Sequence, residues 1–133
     1  MRSRPATELL RLPVRLRGIR LGRPIDLLLD PVEWRALGFV VHCGDEGSRF
    51  LVFAAADLLE DAIDVSSVLL LLEDVGFYRD RSRSLRDLLG DELRDLLVGP
   101  DGSIEALVVE RDGVVQRIDP TGVPVKPEHV STA

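Results

Sequence analysis

The chain has 133 residues, of which 45% are hydrophobic and 30% charged, and its formal net charge is −6 at pH 7. This length fits one domain or two very small ones, and the apolar run VLLLL at 68–72 is far too short to span a bilayer. The single cysteine, Cys43, excludes an internal disulfide and a zinc site built of thiolates. Because the amino terminus lacks the continuous apolar stretch of a secretory signal, we expect a cytoplasmic protein.

The first half of the chain predicts a series of short strands. Apolar and basic residues alternate in VRLRGIRLG (14–22) and are interrupted at Gly18, which indicates a strand, a tight turn and a second strand. Further candidates are PIDLLLD (24–30), ALGFVVHC (36–43), RFLVFAA (49–55) and AIDVSSVLLLLE (62–73), with a GDEG turn at 44–47. About six short strands in roughly seventy residues are typical of a small barrel or sandwich.

We expect residues 14–72 to form this barrel, with eight apolar side chains in its interior. These are Leu16, Ile25, Leu28, Phe39, Val41, Leu51, Phe53 and Leu70.

The segment from 85 to 97 favours a helix. Its leucines, at 85, 88, 89, 93, 96 and 97, follow the three-and-four spacing of one helical face, and Ser84 stands where an N-cap is expected. Gly90 would cost such a helix up to about 1 kcal/mol, or would end a shorter helix at Leu89. The alternation in SIEALVVE, the RDG turn and the segment VVQRI (114–118) then predict a hairpin.

Few side chains suit catalysis. Asp26 and Asp30 would lie about 13 Å apart along a strand, which indicates structural carboxylates and not a catalytic pair. His42 and Cys43 are adjacent, so on a strand they point to opposite faces and cannot act as base and nucleophile. Trp34 is more typical of a cap on one end of a barrel than of a cofactor platform. We therefore predict a protein that is not an enzyme, with no catalytic residue, no cofactor and no metal.

Arginine is concentrated in two segments. Residues 1–23 contain seven arginines against the single acid Glu8, and YRDRSRSLR (78–86) contains four more. A basic run is most often solvated surface, and the acids elsewhere would repel a polyanion. Nucleic acid is therefore an alternative partner and not the preferred one.

Four elements, in order and at compatible spacing, resemble the PRC-barrel domain family. They are LLRLPV (9–14), GIRLG (18–22), DLLLD (26–30) and LGFVV (37–41), and the resemblance covers about residues 8–75. It departs from the family at LRGIR, where an Asp-Gly or Asn-Gly turn is common. The resemblance implies a small PRC-type β-barrel. With the helix and hairpin predicted from the later residues, the expected fold is mainly β, a small PRC-type β-barrel followed by a short helix and a C-terminal β-hairpin.

PRC-barrel domains occur in the H subunit of photosynthetic reaction centres, in a ribosome-maturation protein and in short stand-alone prokaryotic proteins, and this chain resembles the last kind. The implied function is a non-catalytic cytoplasmic module that binds protein or acts as a scaffold. The alternative is an RNA- or ribosome-associated factor that binds through the arginine clusters.

Residues 21–41 also align without a gap on residues 89–109, at an interval of 68. This alignment competes with the single helix, because it predicts a degenerate second PRC-like half. We divide the chain into a PRC-barrel-like domain at 8–76, a C-terminal helix and hairpin or second half at 77–126, and a disordered tail at 127–133.

A helical leucine face in the segment 85–97 would be too apolar for solvent, so it must pack on the chain's own barrel or on another subunit. We favour the second arrangement and predict a homodimer. The predicted interaction surface comprises Leu85, Leu89, Leu93 and Leu96 together with Arg79, Arg81 and Arg83.

Overall fold

The computed structural model describes residues 3–120, which form two β-sheets joined by turns and short helices. The helices in this part of the chain are α1 (Ala6–Leu9), α2 (Val75–Arg79) and α3 (Leu85–Leu88), and 3-10 turns cover Gly44–Glu46, Phe53–Ala55 and Val68–Leu70. The strands are β1 (Arg4–Pro5), β2 (Val14–Leu16), β3 (Ile19–Leu29), β4 (Ala36–His42), β5 (Ser48–Val52), β6 (Asp57–Leu58), β7 (Ile63–Asp64), β8 (Leu71–Leu72), β9 (Arg83–Ser84), β10 (Leu93–Val98), β11 (Ile104–Arg111) and β12 (Val114–Ile118). The predicted tail at 127–133 lies outside the described residues.

The larger sheet has the strand order β6-β7-β2-β3-β4-β5-β8, and β9 adds to β3. Its neighbours pair antiparallel, except for β2 and β7, which run parallel. The fold is therefore mainly β, as predicted. The second strand of 14–22 and the candidate strand 24–30 form one strand, β3, while β4 and β5 overlap the candidates at 36–43 and 49–55. Among residues 3–120, the end strands β6 and β8 do not pair with each other, so closure of a barrel stays a prediction.

Local backbone chemistry explains the two turns that flank β3. Arg17 and Gly18 both have positive φ, 51° and 83°, which is the geometry of a two-residue type I′ hairpin turn. At the other end, one carboxylate oxygen of Asp30 accepts hydrogen bonds from the backbone amides of Val32 at 2.8 Å and Glu33 at 3.0 Å. The turn between β3 and β4 is thus organised by Asp30, the residue that follows β3.

The prediction of one helix over 85–97 is wrong, whereas the shorter alternative that ends at Leu89 agrees with α3. The chain leaves α3 at Leu89, which has extended dihedrals, and re-enters regular structure as β10 of the smaller sheet, β1-β10-β11-β12. The pairing of β10 with β11 shifts register between Leu93 and Asp95. This bulge inserts one residue, so Leu93 and Leu96 both face the core although they are three residues apart. Leucines three residues apart therefore lie on one face of this bulged strand, and the same spacing is typical of one face of a helix. The predicted hairpin of β11 and β12 is confirmed.

One apolar core lies between the two sheets. It joins buried side chains of the larger sheet, such as Leu27, Phe39 and Leu51, to those of the smaller sheet, such as Leu96 and Leu107. The predicted domains 8–76 and 77–126 share this core, so neither contains all of the apolar contacts that bury its own strands.

Five of the eight side chains predicted for the interior are buried, and Leu16, Ile25 and Leu70 are partly buried. Leu28 is one of the five, but it belongs with Val40 and Phe50 to a second cluster, apart from the one that contains its neighbours. This follows from the alternation of side chains along a strand.

The hairpins β3–β4 and β10–β11 repeat each other in detail. Register shifts follow Pro24 and Leu28 in the first hairpin, and they follow Leu93 and Leu97 in the second. The interval between equivalent residues is 69 on the first strand of each hairpin. On the second strand it is 68, as in the ungapped alignment, because the connecting turn is one residue shorter.

The two hairpin turns meet at residues that are themselves 68 apart. Arg35 and Ser103 form an isolated antiparallel bridge. Beside it, the amide of Ala36 donates to the carbonyl oxygen of Gly102 at 2.7 Å. The equivalent bond in the opposite direction runs from the amide of Ile104 to the carbonyl oxygen of Trp34 and measures 3.0 Å. The two hairpins are therefore related by an approximate two-fold axis at this bridge.

Each hairpin carries an arm from the other half of the chain. The arm β1–α1 pairs with β10, whereas the arm β9–α3 pairs with β3. Asp95 and Asp26, which are equivalent residues, hold the arms in the same way, since each accepts a hydrogen bond from an arm hydroxyl, of Thr7 and Ser84 respectively. The two halves are therefore intertwined.

Candidate interaction surfaces

The predicted leucine surface is mostly internal. Leu85 and Leu96 are fully buried, Leu93 is 5% exposed, and all three belong to the common core, while Leu89 is partly buried against it. The prediction that these side chains form one helical face for a second subunit is wrong, because a short helix and a bulged strand direct them into the chain's own core.

The three predicted arginines have three different surroundings. The Arg79 guanidinium lies 3.3 Å from the buried carboxylate of Asp26. The Arg81 guanidinium lies 3.8 Å from the ring centre of Phe77 and donates to the Phe77 carbonyl oxygen at 2.9 Å. Arg83 is exposed on β9. Arg79 is thus a structural ion pair, and the three arginines do not form one basic surface.

Asp26 is the only charged residue among the buried residues of the described chain. One carboxylate oxygen accepts from the amides of Leu27 at 2.9 Å and Arg86 at 3.2 Å, and the other accepts from the Ser84 hydroxyl and from Arg79. These bonds hold the β9–α3 arm on β3. The side chain therefore has the structural role that the sequence predicts.

His42 and Cys43 do not form a reactive pair. His42 is exposed on β4, whereas Cys43 is partly buried against the core, and burial raises the pKa of its thiol. Trp34 also packs on the core, in the turn that contacts the smaller sheet. A raised pKa disfavours the thiolate, so Cys43 is not an activated nucleophile.

A cleft beside β8 brings together three of the large apolar side chains that are exposed in residues 3–120. Leu69 is 82% exposed, Val68 52% and Phe77 46%, and the partly buried Leu71, Leu72 and Tyr78 also line the cleft. Three acids and one arginine complete the lining of this β8 cleft: Glu46, Glu73, Asp74 and Arg49.

Hydrogen bonds from backbone amides to two capping side chains hold the segments that carry the exposed apolar residues of the cleft. The Ser67 hydroxyl accepts from the amide of Leu69 at 3.1 Å, so the chain makes a 3-10 turn where the sequence predicts a strand. The Asp74 carboxylate accepts from the amide of Phe77 at 3.1 Å and caps α2. Because Tyr78 stacks on the ring of Phe50, with centres 4.0 Å apart, Phe77 is left at the surface.

The outer edge of β12 is a second exposed apolar element. Val114 is 54% and Val115 61% exposed, and within residues 3–120 this strand pairs only with β11. Its turn from β11 has positive φ at Asp112 and Gly113, 54° and 79°, which again is a two-residue hairpin.

Neither the family models nor the curated proteins that were compared with this chain include a match. In the stretch from 3 to 120, no cluster of three or more His, Cys, Asp or Glu side chains could hold a metal ion. No helix in the same stretch is long and apolar enough to cross a membrane.

Sequence reasoning missed the β8 cleft. The run VLLLL has the composition of a buried strand, and nothing in it shows that Ser67 will start a 3-10 turn. The one available signal is the pair of serines at 66 and 67, because a serine hydroxyl can accept a hydrogen bond from a nearby backbone amide and start a turn.

Proposed function

We propose that this protein is a non-catalytic cytoplasmic interaction or scaffold module of the PRC-barrel type. The β8 cleft is the observation that carries the proposal. Large apolar side chains that stay half or more exposed are common singly, but a group of them in one concave surface is typical of a site where another protein binds.

The PRC-barrel assignment is supported by where the resembling elements lie. GIRLG begins in the β2–β3 turn at Gly18 and continues into β3, DLLLD contains the last four residues of β3 and Asp30, and LGFVV lies within β4. These three elements fall on the central strands of the larger sheet, whereas LLRLPV connects the end of α1 to the start of β2. The matched register shifts and the two-fold bridge support the further proposal that residues 77–126 are a degenerate second PRC-like half.

The lining of the cleft indicates the chemistry of its partner. Glu46, Glu73 and Asp74 outnumber Arg49, and Arg49 also donates to backbone carbonyl oxygens of its own turn. A protein segment with apolar side chains flanked by lysine or arginine fits this surface best, because it would bury the exposed apolar groups and meet the acidic rim.

The test uses two variants matched in exposure. Leu69→Asp places a charge in the cleft, whereas Val32→Asp changes a side chain that is 83% exposed in the β3–β4 turn, away from the cleft. Both variants and the wild type are used to capture proteins from the cell of origin. We expect Leu69→Asp to lose partners that wild type and Val32→Asp retain. Identical partners for all three proteins would refute the cleft as the functional surface.

One observation favours the alternative of nucleic-acid binding. Arg17, Arg20 and Arg23 are exposed along the β2–β3 hairpin, and Arg20 and Arg23 line a shallow pocket with His42. Filter binding of RNA and duplex DNA at two salt concentrations tests it, with glutamine replacing the three arginines. Salt-sensitive binding that the triple variant loses would place this function above the cleft proposal.

A further inference from the structure

The outer edge of β12 has few of the features that usually protect an edge strand. Its sequence, VVQRI, contains no proline, its one charged residue is Arg117, and its pairing with β11 is regular over five residue pairs. Two adjacent valines are more than half exposed. Proteins commonly protect such edges with prolines, lysines or bulges, since unpaired amides and carbonyls bind another strand.

The other half of the molecule shows what covers an equivalent edge. The three-stranded meander β3-β4-β5 corresponds to β10-β11-β12, which places β5 and β12 in the same position. The outer edge of β5 pairs antiparallel with β8, through Phe50 with Leu72 and Leu51 with Leu71. In this fold the edge is therefore completed by an antiparallel apolar strand.

We propose that the missing strand is β12 of a second copy, paired antiparallel across a two-fold axis. This inference rests on the proposed interaction function and names one of its partners. It would join two four-stranded sheets into one sheet of eight strands. A two-fold contact uses the same surface twice, so association of two copies would cover the two valines of both chains.

The charges of β12 permit this pairing. With the axis at Val115, Arg117 of one copy faces Gly113 of the other, and with the axis at Gln116 it faces Val115. In neither register do two arginines face each other, and such like-charge pairs are what destabilise cross-strand contacts. The buried leucines of 85–97 take no part, so the contact is compatible with the intact core.

Engineered disulfides test the pairing and its register. In a Cys43→Ser background, Val115→Cys and Gln116→Cys each place a thiol where the two-fold axis would bring it opposite its own copy, within bonding range. Val32→Cys is the control, because that site is more exposed but lies in the β3–β4 turn and not on β12. We expect one β12 variant to form covalent dimers at least about tenfold faster than the control, since adjacent positions cannot both lie on the axis.

Light scattering on the full wild-type chain should give the mass of two chains, and Val115→Lys should give one chain with unchanged circular dichroism. A wild-type mass of one chain that persists on concentration would overturn the inference, as would β12 thiols that react no faster than the control. It would also be overturned if residues 121–133 or a foreign strand occupied this edge, because the protein would then lack the two-fold crosslink. The capture of partners that depends on Leu69 does not involve β12. A wild-type protein that is a monomer but still captures those partners would therefore overturn the β12 pairing and leave the proposed function of the β8 cleft intact.

Discussion

Removal of the Asp26 carboxylate should detach the β9–α3 arm from β3. In Asp26→Ala, the fully buried amide of Leu27 loses its side-chain acceptor, and an unsatisfied buried donor costs about 1–3 kcal/mol. The Ser84 hydroxyl and the Arg86 amide also lose their acceptor, but both lie closer to solvent and can bind water. Arg79 is 43% exposed, so its ion pair contributes only about 0–1 kcal/mol.

These terms predict that Asp26→Ala lowers the free energy of unfolding by about 2–4 kcal/mol. Asp26→Asn keeps one oxygen acceptor in place and should cost about 1–2 kcal/mol, because the charge-assisted bonds become ordinary ones. Arg79→Ala is the control and should cost less than Asp26→Ala, about 1–2 kcal/mol, because the buried carboxylate loses its counter-charge but keeps its hydrogen bonds from Leu27, Ser84 and Arg86.

Urea denaturation followed by circular dichroism measures all three variants, with linear extrapolation of the unfolding free energy. Hydrogen exchange should show faster exchange of the Arg86 amide in Asp26→Ala. If Asp26→Ala costs less than about 1 kcal/mol, or if Arg79→Ala costs as much as Asp26→Ala, the buried carboxylate does not hold the arm and the reasoning fails.

Three further predictions concern the core, a close backbone approach and acid stability. Leu96→Asp should unfold the chain and not merely change its mass, since this side chain is fully buried, and a folded monomer by light scattering and circular dichroism would contradict its place in the core. Gly38→Ala should cost about 1–3 kcal/mol in urea denaturation, because the added methyl would overlap a carbonyl oxygen of β5, whereas Gly90→Ala meets open space and should change stability by less than about 0.5 kcal/mol. Backbone amides lower the pKa of Asp30, and the Ser103 hydroxyl and amide lower that of Asp101, so both groups favour the folded state above their ordinary value of 3.8, and this contribution disappears as pH falls through the lower folded values. The Asp30→Asn, Asp101→Asn double variant should therefore lose less stability than wild type on acidification below about pH 4, and parallel acid titrations of the two proteins would contradict this.

The sequence alone determined the central strands and the character of their turns. Alternating side chains predicted the β2–β3 hairpin, because burial of one face imposes a period of two on a strand. Residues that favour a pleated surface, together with the GDEG turn, predicted β4 and β5. Gly18 predicted the β2–β3 turn and RDG the β11–β12 turn, since few residues tolerate positive φ. The structural roles of Asp26 and Asp30 followed from their positions at or near a strand end.

Tertiary structure decided the segment from 85 to 97 and the exposure of the β8 cleft. Leucines at 93 and 96 satisfy helical spacing, and only the pairing of β10 with β11 reveals the bulge that places both on one face of a strand. Likewise the self-alignment at 68 indicated a repeat, but not that each half lends its arm to the other. Local sequence cannot encode these outcomes, because a leucine-rich segment is equally apolar in either conformation and its choice depends on which distant strand offers hydrogen bonds and a core to join.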